Sequence, residues 1–511
     1  MWKKKITAAL LGFSLLLPVP ALASVQKDGV HITIMHTNDM HARVQSTDDG
    51  GKTIGIDWLA GAIGKQKAAD EDTLALDAGD TFHGLPLINL NRGSDMALLM
   101  NRAGYDAMTP GNHDFNFGMQ RLRELSQMLE FPVLSANLYD KGSQTCIFAP
   151  YKSFTFHGVK VAVVGLTTPE TAYKTNPNNV AAVTFANPLV VARKLLPKLR
   201  ADHDVVIGLM HMGVDKSSAS ISERIAKEVP GFDVIIDGHS HTTLPQGLKV
   251  GKTLICQTGY YGHDLGKVEL VVKDHKVRKV QGMLLDWQGV EKLAAKPSDG
   301  VAQTLSEIKT RVDKEMQEVV AESPRELTSE RDIVRKQESE LGNLAADAIR
   351  HVAGADIAFI NGGNLRSNLP KGKVTKGDIL AIFPFANTVK KVELDGRTIL
   401  AVLEHSVEYL PADFGGFQDV SGLTFELDPA AAPGRRVSNV QVQGKHLLLD
   451  KKYSVAVNDF MAAGGDNFTM VRDAKLLGIY GDLEDVFMEY LHTNGLKGIE
   501  IGRIHLSNTK S

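Results

Sequence analysis

The segment Val234-Ile235-Ile236-Asp237-Gly238-His239-Ser240-His241 joins a short apolar run to a polar turn that carries two histidines. Such a run, followed by Gly, is typical of a strand buried in a layered sheet. Residues at the ends of neighbouring strands converge on one edge of a sheet, where these folds build sites. Three earlier runs end in the same way: residues 32–35 before Asp39 and His41, residues 73–76 before Asp80, and residues 205–210 before His211.

A fifth piece, Gly111-Asn112-His113-Asp114, adds an amide oxygen to this set. A single Asp or His beside a strand is most often a cap, a turn residue or a hydrogen-bonded core group. Together, however, the five pieces combine carboxylates, an amide and imidazoles. That mixture suits two borderline divalent cations that share a bridging carboxylate. We therefore predict a metal site at one edge of a layered α/β domain.

The order D-x-H, G-D, G-N-H-[DE], H and G-H-x-H resembles the calcineurin-like metallophosphatases, and more closely the bacterial 5′-nucleotidase and nucleotide-sugar hydrolase family. The resemblance implies a four-layer α/β/β/α catalytic domain and two divalent metal ions (Zn, Mn, Co or Mg). It also implies a set of metal ligands: Asp39, His41 and His241 on one ion, Asn112, His211 and His239 on the other, and Asp80 bridging both. Asn112 is also expected to contact substrate.

His113 falls where the family has a catalytic histidine that faces the phosphoryl group without binding metal. Many relatives carry an Asp three residues later to orient that histidine, whereas this chain has Asn116. An amide accepts a hydrogen bond from an imidazole N–H, but it does not hold an imidazolium as a carboxylate would. Relatives that act on cyclic nucleotides carry Asn there, so Asn116 is expected to contribute to catalysis and the preferred ester stays open.

The second half of the chain carries a further motif, Asn361-Gly362-Gly363-Asn364-Leu365-Arg366, directly after a predicted strand. On its own it would most often be a turn. It resembles a motif of the 5′-nucleotidase C-terminal domain, which implies that Asn361 holds the base, that Gly363 lets the backbone approach the ligand, and that Arg366 reaches phosphate or ribose. Arg335 aligns with a second substrate arginine.

Two phenylalanines complete the resemblance. Phe385 stands in Phe383-Pro384-Phe385, and Phe460 precedes Asp466 by six positions. This spacing matches the family's aromatic clamp, in which two rings sandwich a base by stacking. Asp466 is expected to accept hydrogen bonds from ribose hydroxyls.

The N-terminal sequence predicts export. Residues 1–23 contain three lysines, a short apolar stretch and Ala21-Leu22-Ala23, the pattern of a cleaved signal peptide. We therefore expect a periplasmic or secreted protein without a membrane anchor. The net charge of −3 gives no sign of affinity for nucleic-acid polymers, and nothing suggests a coiled coil, so we expect a monomer.

Pattern and composition predict two domains and a link between them. Residues 24–297 alternate strand and helix patterns, with helices predicted at 56–68, 94–102 and 117–129. Residues 298–325 read as a linking helix, and residues 326–511 as an α+β substrate-binding domain with a helix at 399–410. Cys146 and Cys256 could form a disulfide, although Cys256 fits better as a buried core residue.

The predicted function is a metal-dependent phosphoric ester hydrolase that uses a metal-activated hydroxide to convert nucleotides to nucleoside and phosphate. Three substrate types stay open: 5′-mono-, di- or triphosphates, 2′,3′-cyclic nucleotides and UDP-sugars. A nucleotide-binding protein without catalysis is the alternative from another class. It is disfavoured because every metal-ligand position is filled.

Overall fold

The computed structural model describes residues 29–47, 52–175, 177–214, 222–385, 387–496 and 499–507, so the predicted signal peptide lies outside the described residues. Up to residue 316 the elements are β1 Val30–Thr37, α1 Ile56–Ala69, β2 Thr73–Asp77, α2 Pro86–Asn89, α3 Ser94–Ala103, β3 Ala107–Met108, α4 Met119–Met128, β4 Leu138–Asp140, β5 Tyr151–Phe156, β6 Val159–Thr167, α5 Thr171–Lys174, β7 Val183–Phe185, α6 Pro188–Asp202, β8 Val205–His211, α7 Ser222–Glu228, β9 Val234–Ile236, β10 Leu248–Val250, β11 Thr253–Cys256, β12 Leu265–Lys273, β13 Lys276–Leu285, α8 Trp287–Ala294 and α9 Asp299–Met316.

Two sheets form the centre of this part. One is five-stranded, in the order β13-β12-β1-β2-β3, and the other is six-stranded, in the order β10-β11-β9-β8-β6-β5. In both, the inner strands run parallel: β1 with β2, and β6 with β8 and β9. Their carboxyl ends therefore lie at common sheet edges, as the sequence predicts.

The layers follow from which side chains share a core. Ile34 of the first sheet packs with Val163 and Ile207 of the second, so the two sheets lie face to face. Helices α1, α3, α4, α8 and α9 cover the outer face of the first sheet, and α6 and α7 cover that of the second. The predicted four-layer α/β/β/α arrangement is confirmed.

The predicted linking helix is too long. Helix α9 ends at Met316, and a strand, β14 Val319–Ser323, follows and pairs antiparallel with residues 372–375. The β-branched pair Val319-Val320 favours an extended backbone, and the neighbouring strand supplies its hydrogen bonds. The prediction counted Val319 as part of a helical face, which was wrong.

The second half is α+β, as predicted. Its elements are β14, α10 Arg331–Val334, α11 Glu340–Ala353, β15 Ile357–Asn361, β16 Gly372–Thr375, α12 Lys376–Ile382, β17 Thr388–Asp395, α13 Gly396–Ser406, β18 Gln418–Ser421, β19 Leu423–Leu427, β20 Val437–Val442, β21 Lys445–His446, β22 Lys452–Asn458, α14 Asp459–Ala462, β23 Lys475–Asp482, α15 Leu483–Asn494 and β24 Ile504–Leu506. A five-stranded sheet, β18-β15-β22-β17-β23, packs α11, α12 and α15 on one face and α13 with the small sheet β21-β20-β19-β24 on the other.

Two predicted helices have shorter bounds than expected. The helix predicted at 117–129 begins at Met119, because Gly118 has a φ of 91°. The helix predicted at 399–410 ends at Ser406, since Val407 leaves helical dihedrals and the Ser406 hydroxyl accepts a hydrogen bond from Gln418 N. Both cysteines are free, and Cys256 is buried as predicted. Of the helices within the described ranges, none combines the length and the apolar character that crossing a bilayer requires.

Candidate functional site

Five of the predicted metal ligands come together at the ends of distant strands. Candidate ligand atoms of Asp39, His41 and His241 all lie within 4.8 Å of one another, and so do those of Asp39, Asp80 and His211. Asp39 belongs to both groups, so the five side chains form one continuous cluster. Within it, His41 Nε2 lies 3.1 Å from His241 Nε2, and His211 Nε2 lies 3.3 Å from Asp80 Oδ2.

The backbone at this cluster adopts conformations that are uncommon for residues with a Cβ atom. Positive φ angles occur at five predicted ligands: Asp39 (51°), His41 (46°), Asp80 (57°), His239 (79°) and His241 (54°). Such conformations cost free energy and concentrate at functional sites, where the surrounding structure enforces them. The turns that follow the strands thus orient the side chains of the predicted ligands at the cost of local backbone strain.

Two glycines permit the close approach of these turns. A Cβ on Gly111 would lie 2.2 Å from Asp80 Oδ1 and 2.6 Å from His211 Cε1. A Cβ on Gly238 would lie 2.8 Å from His211 Nδ1 and 2.9 Å from Asp39 Oδ2. Glycine is therefore required in both motifs because any side chain would enter the ligand cluster.

Buried hydrogen bonds hold the carboxylates of Asp39 and Asp114 in place. Asn38 Nδ2 donates to Asp39 Oδ2 at 2.8 Å. The Asp114 carboxylate accepts from four backbone N–H groups, those of Asp80, Thr81, Phe82 and Gly111. Asp114 thereby ties the Gly-Asp turn after β2 to the Gly-Asn-His-Asp turn after β3. This explains why an acidic residue follows His113 without being a ligand.

The electrostatics of the cluster favour a cation. Burial lowers the pKa of His211, but the carboxylates of Asp80 and Asp39 outweigh it and raise that pKa to about 10. Burial raises the pKa of Asp80, but His211 and His113 hold it well below its usual range. Burial likewise raises the pKa of Asp39, but His211 and His241 hold it below its usual value. Two buried carboxylates thus stay ionised, and a bound cation would compensate their charge.

The donor atoms fit a divalent metal. Asn112 Oδ1 is buried and makes no hydrogen bond to any described residue. His211 Nδ1 lies 2.6 Å from Ala78 O, which leaves His211 Nε2 facing the cluster, 3.3 Å from Asp80 Oδ2. An unpaired buried acceptor such as Asn112 Oδ1 is costly, and oxygen and imidazole nitrogen are ligands of Zn²⁺, Mn²⁺ and Co²⁺.

Among the predicted histidine ligands, His239 stands outside both groups of candidate ligands found among the described residues. Its ring centroid lies 5.1 Å from that of His211, and its backbone N donates to Asp39 Oδ2 at 2.9 Å. Its Nε2, however, lies 2.7 Å from Glu170 Oε2. Sequence reasoning missed Glu170, although it follows strand β6 in Thr167-Thr168-Pro169-Glu170 and the rule that found the other strand-end residues applies to it.

The predicted catalytic pair lies beside the cluster. The His113 ring centroid is 5.1 Å from that of His41, and His113 N donates to Asp80 Oδ1 at 2.7 Å. Asn116 Nδ2 lies 3.2 Å from His113 Nδ1 and 3.1 Å from His83 Nδ1, and Thr175 donates to Asn116 Oδ1. The Asn116 amide therefore contacts two imidazole rings, those of His113 and His83. His83 is a second site residue that was not predicted from the sequence.

The predicted nucleoside residues gather in the second half of the chain. Gly415 lies among them: a Cβ there would be 3.6 Å from Asp466 Oδ2, 3.8 Å from Arg335 Nη1 and 3.8 Å from Gly363 Cα. Burial raises the pKa of Asp466, although Arg335, His405 and a hydrogen bond with Asn361 partly offset this. Arginine, carboxylate and amide groups thus share one surface.

The two predicted clamp rings are exposed, unlike most phenylalanines of this protein. Phe385 is 53% exposed and Phe460 is 43% exposed, whereas Phe383 is buried against Phe487. Arg366 Cζ lies 5.6 Å from the centroid of the Phe385 ring. Exposed rings beside charged groups leave a surface on which a base can stack.

Residues 32–243 match the family model described as calcineurin-like phosphoesterase, and residues 319–473 match that of the 5′-nucleotidase C-terminal domain. Protein UshA of Yersinia enterocolitica is 30% identical over 513 residues, which cover 91% of this chain and 91% of that protein. The chain belongs to the 5′-nucleotidase family. The 5′-nucleotidase of Vibrio cholerae serotype O1 is 29% identical over 509 residues, which cover 91% of this chain and 90% of that protein.

The crystal structure of the 5′-nucleotidase precursor from Thermus thermophilus has a similar fold. It is 30% identical, covers 94% of this chain and 100% of that chain, and gives a TM-score of 0.59. As a member of the 5′-nucleotidase family, this chain is a metal-dependent phosphoric ester hydrolase, and its two ligand groups imply that it binds divalent metal.

Proposed function

We propose that this protein hydrolyses nucleotides to nucleoside and phosphate at a centre of two divalent cations. The observation that carries the proposal is the five-residue cluster together with the unpaired Asn112 Oδ1. The donors divide into two sets that share Asp80: Asp39, His41 and His241 for one ion, and Asn112, His211 and His239 for the other. Oxygen and imidazole donors suit Zn²⁺, Mn²⁺, Co²⁺ or Mg²⁺.

Divalent ions at such a site lower the pKa of water and neutralise charge on phosphoryl oxygens. Residues of the chain orient the metal ligands and contact the phosphoryl group. Asp39 and Asp80 are held ionised and oriented by buried hydrogen bonds. His113 has its Nδ1 beside Asn116, which leaves Nε2 to face the phosphoryl group or the leaving oxygen. We assign His113 Nε2 the role of hydrogen-bond donor to the leaving oxygen.

Residues in the second half of the chain bind the nucleoside. Phe385 and Phe460 stack on the two faces of the base, an arrangement that accepts any base because every base has a π-face. Asp466 accepts hydrogen bonds from the ribose hydroxyls, and Asn361 holds the base. Arg335 and Arg366 present planar guanidinium groups, which suit phosphate.

Asn116 favours a second candidate substrate. A neutral amide in place of the Asp found in many relatives weakens the hold on a protonated His113. Hydrolysis of 2′,3′-cyclic nucleotides is therefore the alternative activity of the same centre, and cleavage of UDP-sugars is a further one. All three reactions transfer a phosphoryl or nucleotidyl group to water.

A substrate panel tests the proposal. Purified protein is stripped with a chelator, reloaded with Mn²⁺ or Co²⁺, and assayed on AMP, ADP, UDP-glucose and 2′,3′-cyclic AMP. We expect metal-dependent turnover of AMP at least, with Asp80→Asn purified in parallel to exclude a contaminating phosphatase. Turnover of none of the four substrates with either metal would contradict the proposal.

Two further parts of the proposal concern the whole chain. We propose that residues 1–23 direct export to the periplasm or the medium, and that residues 24–297 and 326–511 divide catalysis and substrate binding between them. The mature chain is proposed to act as a monomer. Mass spectrometry of the protein from cell fractions tests the cleavage after Ala23, and light scattering tests the monomer.

A further inference from the structure

Glu170 lies at the edge of the metal cluster but is not one of its predicted ligands. It follows strand β6, and its side chain is only 2% exposed. Glu170 Oε2 lies 2.7 Å from His239 Nε2 and 2.8 Å from Lys174 Nζ. The three groups therefore form an array in which the buried Glu170 carboxylate connects the exposed Lys174 ammonium to the buried His239 imidazole.

The short contact between Glu170 and His239 decides which ring nitrogen carries the proton. A carboxylate oxygen has only lone pairs, so a 2.7 Å contact is attractive when Nε2 donates an N–H to it. Lys174 Nζ contacts the same oxygen, Glu170 Oε2, at 2.8 Å. Lys174 Nζ also lies 3.2 Å from Nε2, but an ammonium and an N–H are both donors, so Lys174 bonds the carboxylate.

A neutral imidazole protonated at Nε2 has its lone pair on Nδ1, and only a lone pair can bind a cation. The His239 side chain is only 4% exposed, which restricts rotation of its ring. Its backbone N is bound to Asp39, its φ is 79°, and its ring packs near that of His211. Nδ1 is therefore the atom of His239 that is available as a ligand.

We propose that Glu170 is a positioning residue that holds His239 in the Nδ1 ligand form for the second divalent cation, and that Lys174 orients the Glu170 carboxylate for this task. The proposal rests on the proposed dinuclear centre. Metal-bound histidines commonly donate their other N–H to a carboxylate, and loss of such a partner typically weakens metal affinity by about 10–100-fold. A purely structural role, in which Glu170 only begins helix α5, predicts no such effect.

Metal binding without substrate tests the proposal. Wild type, Glu170→Gln and the control Glu228→Gln, which breaks an exposed ion pair with Arg224, are dialysed against stepped free Mn²⁺ and their bound metal is counted. We expect one ion of Glu170→Gln to bind about 10–100-fold more weakly while the other is unchanged. The amide offers one oxygen, and Lys174 competes with His239 for it. Normal binding of both ions, or equal loss of both, would overturn the proposal.

Two variants of His239 identify the ligand atom directly. The amide oxygen of Asn occupies the place of Nδ1 on a histidine ring, and that of Gln occupies the place of Nε2. We expect His239→Asn to retain the second ion more tightly than His239→Gln, and to be insensitive to the further change Glu170→Gln. The reverse order, or additive losses in the double variant, would overturn the assignment.

These measurements are independent of activity. Wild type that hydrolyses no nucleotide while Glu170→Gln still loses one ion would refute the proposed function and leave the positioning role standing. If wild type hydrolyses AMP while Glu170→Gln binds both ions normally, the proposed function stands and the positioning role is refuted.

Discussion

The Nε2 atoms of His41 and His241 lie 3.1 Å apart, although 200 positions separate the two residues in the chain. Two imidazole lone pairs at this distance repel each other unless a proton or a cation lies between them. His41 follows strand β1 of one sheet, and His241 follows strand β9 of the other. The packing of the two sheets is therefore what assembles the candidate metal centre.

Asp80→Asn tests the bridging role. The amide still accepts the hydrogen bond from His113 N, so we expect the fold to be retained. It removes a negative charge that both cations would share, so turnover of AMP should fall by several orders of magnitude. Steady-state kinetics and metal analysis, with Asp313→Asn on the exposed face of α9 as the control, measure the effect. Near-normal turnover with full metal content would remove the dinuclear assignment.

Gly111→Ala tests whether the site depends on the close approach of two turns. The added Cβ would lie 2.2 Å from Asp80 Oδ1, so the turns must separate and the ligands must move. We expect metal affinity and turnover to fall sharply, as measured by equilibrium dialysis and kinetics. Gly64→Ala is the matched control, because a Cβ there would meet no described atom within 4 Å. An equal effect of the two substitutions would refute this dependence.

The sequence pattern predicted a layered α/β domain and the buried strands that precede the candidate ligands, because buried strands and the polar residues at their ends are local patterns. The strand β14 was missed, since its partner β16 lies about fifty residues away and pairing is not local. Glu170 and His83 were missed for another reason. Glu170 follows a strand as the predicted ligands do, but its contact with His239 Nε2, like the contact of His83 Nδ1 with Asn116 Nδ2, depends on side-chain rotation in the folded protein.

Phe385→Ala and Phe460→Ala test the clamp. Each should weaken the use of AMP by about 1–3 kcal/mol, the usual value of a base–aromatic stack. Hydrolysis of p-nitrophenyl phosphate should change little, because that ester has no base to hold. Leu448→Ala, at another exposed apolar side chain, is the control. If both phenylalanine variants lose the two activities equally, the rings support the fold rather than the base.

The raised pKa of the buried Glu484 predicts that the stability of the protein depends on pH. Burial and the nearby Asp482 raise its pKa from 4.5 to about 8, and Glu484 Oε2 makes no hydrogen bond within the described residues. The folded protein therefore holds this proton more tightly than the unfolded chain. The free energy of unfolding should fall between pH 4.5 and about 8, by on the order of 1 kcal/mol for each pH unit.

Glu484→Gln removes the ionisable group while keeping its shape. We expect denaturant unfolding at pH 6 and pH 9 to show a smaller loss of stability for this variant than for wild type. Glu489→Gln, on the exposed face of the same helix α15, should behave as wild type. A loss in Glu484→Gln as large as that of wild type would assign the pH dependence to other groups.

The hydrolysis of nucleotides is proposed to need two bound cations, and one titration tests this requirement. Metal-free protein receives Mn²⁺ stepwise, and both the bound metal per chain and the rate of phosphate release from AMP are measured at each step. We expect a negligible rate until occupancy exceeds one ion per chain, followed by a rise to the full rate near two. A full rate with one ion per chain, or with none, would show that the second cation is not required.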